Sequence, residues 1–177
     1  LGAGVTNSYG LIVNPNTGAT NNFGSWLRGI TVIDNYRGTT TNDNAAVGMV
    51  GEFISATVLA GAAVALTSGV VVNITSISLT AGDWDVNASG VSSPAGTTNV
   101  SAFGVGVSTT SATFPALPST GYSQFQGGSV TQPFYHLNTG VVRISIAATT
   151  TVFLVGYSNF TTSTNAIYGQ IRARRVR

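Results

Sequence analysis

Cysteine and lysine are absent from the 177 residues, and histidine and methionine occur once each, as His136 and Met49. Without cysteine there is no disulfide framework, no thiolate zinc site and no thiol nucleophile, and the redox compartment stays open. Charge is scarce: seven arginines, four aspartates and one glutamate make up 7% of the chain, against roughly 25% in an average soluble domain. That excludes a charge-solvated helical protein and a disordered polyelectrolyte. No apolar run reaches the ~18 residues of a membrane span, and no basic segment precedes an apolar stretch in the manner of a signal peptide. A chain that begins at Leu1, with Met49 as its sole methionine, reads as a fragment or a processed product.

What fills the sequence is polarity without charge. Serine, threonine and asparagine number 57, and valine alone contributes 21. β-Branched residues interleaved with small hydroxyl residues suit pleated, half-exposed strands and disfavour helix interiors. The pI of 9.3 suggests a basic protein, but four of the seven arginines, Arg172, Arg174, Arg175 and Arg177, crowd into the last six residues. The rest of the chain sets three arginines against five acids, a net −2. A weakly acidic body offers no broad nucleic-acid-binding surface.

Gly, Asn, Thr and Pro punctuate the chain about every ten residues, the spacing of an all-β sandwich or barrel. The polar stretch Arg37–Asn44 holds no large apolar residue, so the chain divides into residues 1–36, a linker over 37–51, and a domain over 52–177. Residues 1–36 offer two short strands around Asn14–Gly18, too little for a core of their own, so they must pack on something, most cheaply on other copies. The larger part predicts strands over 52–58, 62–67, 70–79, 83–91, 99–109, 128–137, 140–147 and 150–160, with 166–176 closing the set. Trp84, Val86 and Ala88 share one face of their strand, and Asp83, Asp85 and Asn87 the other. The strand 150–160 is apolar on both faces, with Val152, Leu154 and Phe160 opposite Phe153, Val155 and Tyr157. Double burial is expected there, with a neighbouring subunit as the second cover. Gly104 and Gly106 leave one face of the strand 99–109 almost bare, which suits close approach of another backbone.

Catalytic chemistry is poorly supplied. His136 would need a buried acid and a nucleophile, and no Gly-x-Ser-x-Gly elbow occurs. Asp83 and Asp85 share a strand face, yet a hard cation needs six or more oxygens, and solvated carboxylates beside the Ala81–Gly82 turn are the simpler reading. The sequons at Asn73, Asn87, Asn99 and Asn159 are no more than chance supplies from this much Asn, Ser and Thr. No catalytic residue, metal site or cofactor is therefore assigned. Trp84 reads as a core anchor. Binding is best sought in 121–138, where Tyr122, Phe125, Phe134, Tyr135 and His136 alternate with Gln124, Gln126 and Gln132. Rings that stack on sugar faces beside amides that donate and accept are what an uncharged polysaccharide needs. The candidates are Tyr122, Gln124, Gln132, Tyr135 and His136. The plainer reading, a long hairpin whose aromatics fill the sandwich end, carries more weight.

Ser8–Gly29, with its Gly-Leu-Ile-Val strand, its Asn-Pro-Asn-Thr-Gly-Ala-Thr-Asn-Asn turn and its aromatic strand, resembles the repeated shaft element of bacteriophage tail-fibre proteins. Thr75–Val86, Ala148–Val155 and Ile171–Arg177 are similar to the C-terminal domains of phage fibre and other virion proteins. Leu79–Val86 also resembles the start of a strand in trimeric jelly rolls of the tumour-necrosis-factor and complement type. The resemblance implies an antiparallel jelly-roll β-sandwich head preceded by a short, β-rich, intertwined fibre shaft. It further implies a homotrimer on the virion surface, in contact with other virion proteins and, through the head, with a host polysaccharide or receptor, without nucleic acid or membrane insertion. Gly104, Gly106, Val152, Leu154, Arg174, Arg175 and Arg177 are then the expected contacts between copies, the arginines pairing across subunits. The expected function is non-enzymatic host attachment. The alternatives are a capsid or tail decoration fibre whose head only caps the trimer and, less well supplied with acids, a polysaccharide depolymerase.

Overall fold

A computed structural model describes residues 41–131 and 134–177. The expected shaft over 1–36, the linker residues before 41 and Gln132 lie outside the described residues. Asp43–Arg177 form one compact unit. The period-2 alternation of the sequence appears as ten strands: β1 (Phe53–Val58), β2 (Val64–Ala65), β3 (Val72–Leu79), β4 (Gly82–Pro94), β5 (Asn99–Ser108), β6 (Tyr122–Thr131), β7 (His136–Asn138), β8 (Val142–Ile146), β9 (Thr150–Thr161) and β10 (Asn165–Arg175). A single 3₁₀ turn, Ala60–Ala62, separates β1 from β2. Among the described residues there is no α-helix.

The strands form two antiparallel sheets, and the fold is an all-β sandwich. One sheet has six strands in the order β1-β10-β4-β7, with β2 also beside β10 and β8 also beside β4; the other has four, β3-β9-β5-β6. The core lies between them. Trp84, Val86, Ile167 and Ile171 of the six-stranded sheet meet Phe103, Val105, Val152 and Leu154 of the other, all buried. Each such side chain contributes about 1.5–3 kcal/mol by leaving water. The faces of β4 and the inward set Ile167, Ile171 and Ala173 of β10 are those the sequence alternation predicts.

The expected strand 128–137 is the largest departure. Gly127 and Gly128 lie inside β6, and the register against β5 slips there, from Ala102 opposite Gln126 to Val100 opposite Val130. The glycine pair sits at an irregularity within a strand that begins ahead of the expected one.

Double burial of β9 is present, but its cause is internal. Val152 and Leu154 face the core, and Val155, on the other face, is equally inaccessible. The loop between β5 and β6 lies across that second face. Asn73 of β3 pins it by accepting from the Ala112 N–H and donating to Ser111 Oγ, both at 2.7 Å. Phe114 then packs edge-on to Tyr122 and Tyr157. The glycines of β5 make room for these rings rather than for another backbone. A Cβ on Gly106 would sit 2.7 Å from the Phe114 ring, and one on Gly104 would sit 2.6 Å from Tyr157. Gly104, Gly106, Val152 and Leu154, expected at contacts between copies, are thus buried within one chain.

Candidate functional site

Strand parity decides which candidates meet. Phe103 points into the core, so its partner Phe125 does too, while Gly104 and Gly106 turn their partners Gln124 and Tyr122 outward. Tyr157 of β9 is also opposite Gly104. Tyr122 donates its hydroxyl to Gln124 Oε1 at 2.5 Å, and Gln124 Nε2 donates to the Tyr157 hydroxyl. Burial first, and the neighbouring Tyr157 hydroxyl second, push Tyr122 up to about 12. The Tyr122 hydroxyl therefore keeps its proton well above neutral pH.

Tyr135 and His136 lie elsewhere. Tyr135 stacks on Phe125 with ring centroids 4.3 Å apart and reaches Phe103 at 6.4 Å, so it covers the edge of the core on the opposite side of β6 from Gln124. His136 belongs to the other sheet, exposed and opposite Val91. Of the expected binding residues, Tyr122 and Gln124 come together, Tyr135 and His136 do not join them, and Gln132 lies outside the described residues. Tyr157 completes the pair; the alternation along its strand, apolar on both faces, does not single it out, and its place beside Gln124 comes from the register across Gly104.

The charged residues gather at the other sheet. Arg175, expected between copies, is only 4% exposed within one chain. Its Nε donates to Glu52 Oε2 at 2.9 Å and its Nη1 to the Ala81 carbonyl at 2.8 Å, and its guanidinium lies 4.2 Å from the Trp84 ring centroid. Gly82, at φ +139°, leaves the space: a Cβ there would lie 2.0 Å from Arg175 Nη1. Burial opposes ionisation of Glu52, but the Gly48 N–H and the hydrogen bond and charge of Arg175 outweigh it and hold its carboxyl below the ordinary range. Arg175 shares parity with the inward Ile171 and Ala173, and the antiparallel register of β1 on β10, which no pattern along one strand gives, puts Glu52 opposite.

Asp83 is not the solvated turn carboxylate the sequence suggests; it is 4% exposed. Arg143 and Arg177 each reach its Oδ2 at 2.8 Å. A hydrogen bond from Ser145, then the hydrogen bond and charge of Arg143 and the charge of Arg177, lower its pKa against the effect of burial. Arg177 is therefore engaged within its own chain. Arg172 and Arg174 point outward, Arg172 donating to Asn87 Oδ1 at 3.0 Å. They share a shallow depression of about 250 Å³ with Phe53, Asp85, Asn87 and Val141.

Among the described residues no group of three or more His, Asp or Glu side chains is placed to hold a metal ion. No helix among them is long and apolar enough to cross a membrane. No protein-family model, curated protein or solved structure matches the chain.

Proposed function

We propose that the chain is part of a homotrimeric bacteriophage fibre whose head attaches the virion to a host surface polysaccharide or receptor. The observation that carries this reading is the outward face of the six-stranded sheet. Exposed Phe53, Leu59 and Val141 frame it, at 42%, 71% and 57% accessibility, and between them lie Asp85, Arg172 and Arg174 together with hydroxyls, amides, Tyr168 and Val91. Val47, Met49 and Val50, just before β1, are exposed as well. Apolar side chains grouped on one face and along the approach to it are the mark of a surface that another chain covers. Identical copies cover it most simply, through a closed symmetric contact.

Strand order supports the same reading. With the two short strands β2 and β7 set aside, the sheets run first-eighth-third-sixth and second-seventh-fourth-fifth. We read this as a jelly roll, the head that the resemblance to phage fibres implies. Attachment would be multivalent, with weak contacts multiplied by the copies in each fibre. Light scattering of the full chain at micromolar concentration should give three times the mass of one chain. A monomer under those conditions would remove the reading. Binding to host cells tests attachment; an intact trimer without it would leave a head that caps a fibre.

A further inference from the structure

The two sheets differ in charge completely. Every charged side chain among the described residues lies on the six-stranded sheet, at its ends or in the segment leading into it; β3, β5, β6, β9 and the β5–β6 loop contain none. An outward face without charge cannot recruit an ionic ligand, and it spares a neutral one the cost of desolvating a charge.

The floor of this face has a definite shape. Adjacent rows across β6, β5 and β9 read Gln126-Ala102-Asn159 and Gln124-Gly104-Tyr157. The central strand thus offers a methyl and then no side chain. The Tyr157 ring occupies the space over Gly104, since a Cβ there would meet two of its ring carbons at 2.6 and 3.1 Å. Tyr157 is only half-buried, so part of its ring stays open to a ligand. Phe114 abuts it edge-on, with centroids 5.4 Å apart and an interplanar angle of 77°, and closes the row at one end. At the other end Gln126 is exposed and Asn159 half-buried.

The polar groups are oriented before any ligand arrives. In the Tyr122–Gln124–Tyr157 chain, Tyr122 gives its proton to Gln124, and Gln124 gives one to Tyr157. The Tyr122 and Tyr157 hydroxyls also engage each other, and the second amide proton of Gln124 is left as a donor. Rings held by packing and amides held by hydrogen bonds lose little freedom on binding.

We infer that this face, with Tyr157 as its stacking platform and Gln124, Gln126 and Asn159 as its polar rim, binds an uncharged polysaccharide. The inference rests on the attachment proposed above and gives it a place in the fold. Pyranose rings present an apolar face to an aromatic ring and hydroxyls at the rim, each of which donates and accepts, as the amides do. Acidic sugars find no arginine here; the outward Arg172 and Arg174 belong to the other sheet.

The test uses the full chain with malto-, manno- and laminari-oligosaccharides as neutral probes and oligogalacturonate as the acidic control, by calorimetry and nuclear magnetic resonance. A neutral probe should bind, with an affinity unchanged between low and high salt. Tyr157→Ala should weaken it at least about tenfold, and Tyr157→Phe, which keeps the ring, only a few-fold. Gln126→Ala, exposed and remote from the core, should weaken binding with an unchanged melting temperature, so misfolding cannot mimic the result. Binding to the acidic probe alone, no binding to any probe, or equal binding by wild type, Tyr157→Ala and Gln126→Ala would overturn the inference. Loss through Tyr135→Ala but not Tyr157→Ala would do so as well. Host-cell binding that survives Tyr157→Ala and Gln126→Ala rejects this face and leaves attachment standing; host-cell binding absent from the wild type rejects both.

Discussion

Arg175 shows how one residue can look like a contact between copies in sequence and act as a girder within one chain in structure. Its charge lies over Trp84 and against Glu52, and both partners are buried with it. Removing one member of such a pair leaves the other uncompensated, so Arg175→Ala should cost about 3–5 kcal/mol in urea unfolding. Replacing both, Glu52→Gln with Arg175→Met, should recover most of that loss, because no buried charge is then left alone. If the double variant were no better than the single one, the charge would not be the source of the cost. Acid tests the same network. Glu52 and Asp83 both ionise more readily folded than unfolded. Such a group stabilises fully above its unfolded pKa and loses that contribution as pH falls through its folded one. The melting temperature should therefore hold steady above about pH 5 and drop below about pH 4. Asp83→Asn should start lower at neutral pH and fall less steeply in acid.

At the scale of elements, the loop between β5 and β6 serves where a second subunit was expected. Asn73 anchors it, and Phe114 inserts over Gly106 between two tyrosines. Phe114→Ala should cost about 3–5 kcal/mol if the site does not collapse, and less if it does. Amide hydrogen exchange across 109–121 should quicken while β4 and β10 keep their protection. Uniform quickening would mean that the loop is part of the core. Most strand positions were legible because alternation of Val and Ile with Ser, Thr and Asn is a direct image of the pleat. What covered the two-sided strand was not, because a loop of Ser, Thr, Ala and Pro carries no period, and its one aromatic finds its seat only through a contact with distant β9. The Gly127-Gly128 pair was ambiguous for a related reason: glycine marks both turns and bulges, and the partner strand decides between them.

Across the described residues, strands far apart in sequence are joined in the centre of one sheet. β10 lies between β1 and β4, and both buried carboxylates hold arginines from the last three residues. Deleting residues 172–177 should abolish cooperative unfolding, read by circular dichroism, rather than merely lower the midpoint. It removes the last four residues of the eleven-residue central strand β10, Arg175 among them, together with Arg177. A truncated chain that melts sharply would show that β1 and β4 can close the sheet without it. Composition alone fixed the all-β class: uncharged hydroxyl residues and β-branched side chains in period-2 order, with no helical period, leave few other ways to bury a core. Local alternation also determined which face of β4 and β10 points inward. Tertiary structure alone decided which charges meet, what lies over Gly104 and Gly106, and that Tyr122 and Gln124 share a surface with Tyr157 while Tyr135 turns away. Those are relations between strands, set by register and by loops that cross a sheet, and a period read along one strand holds no information about the strand beside it.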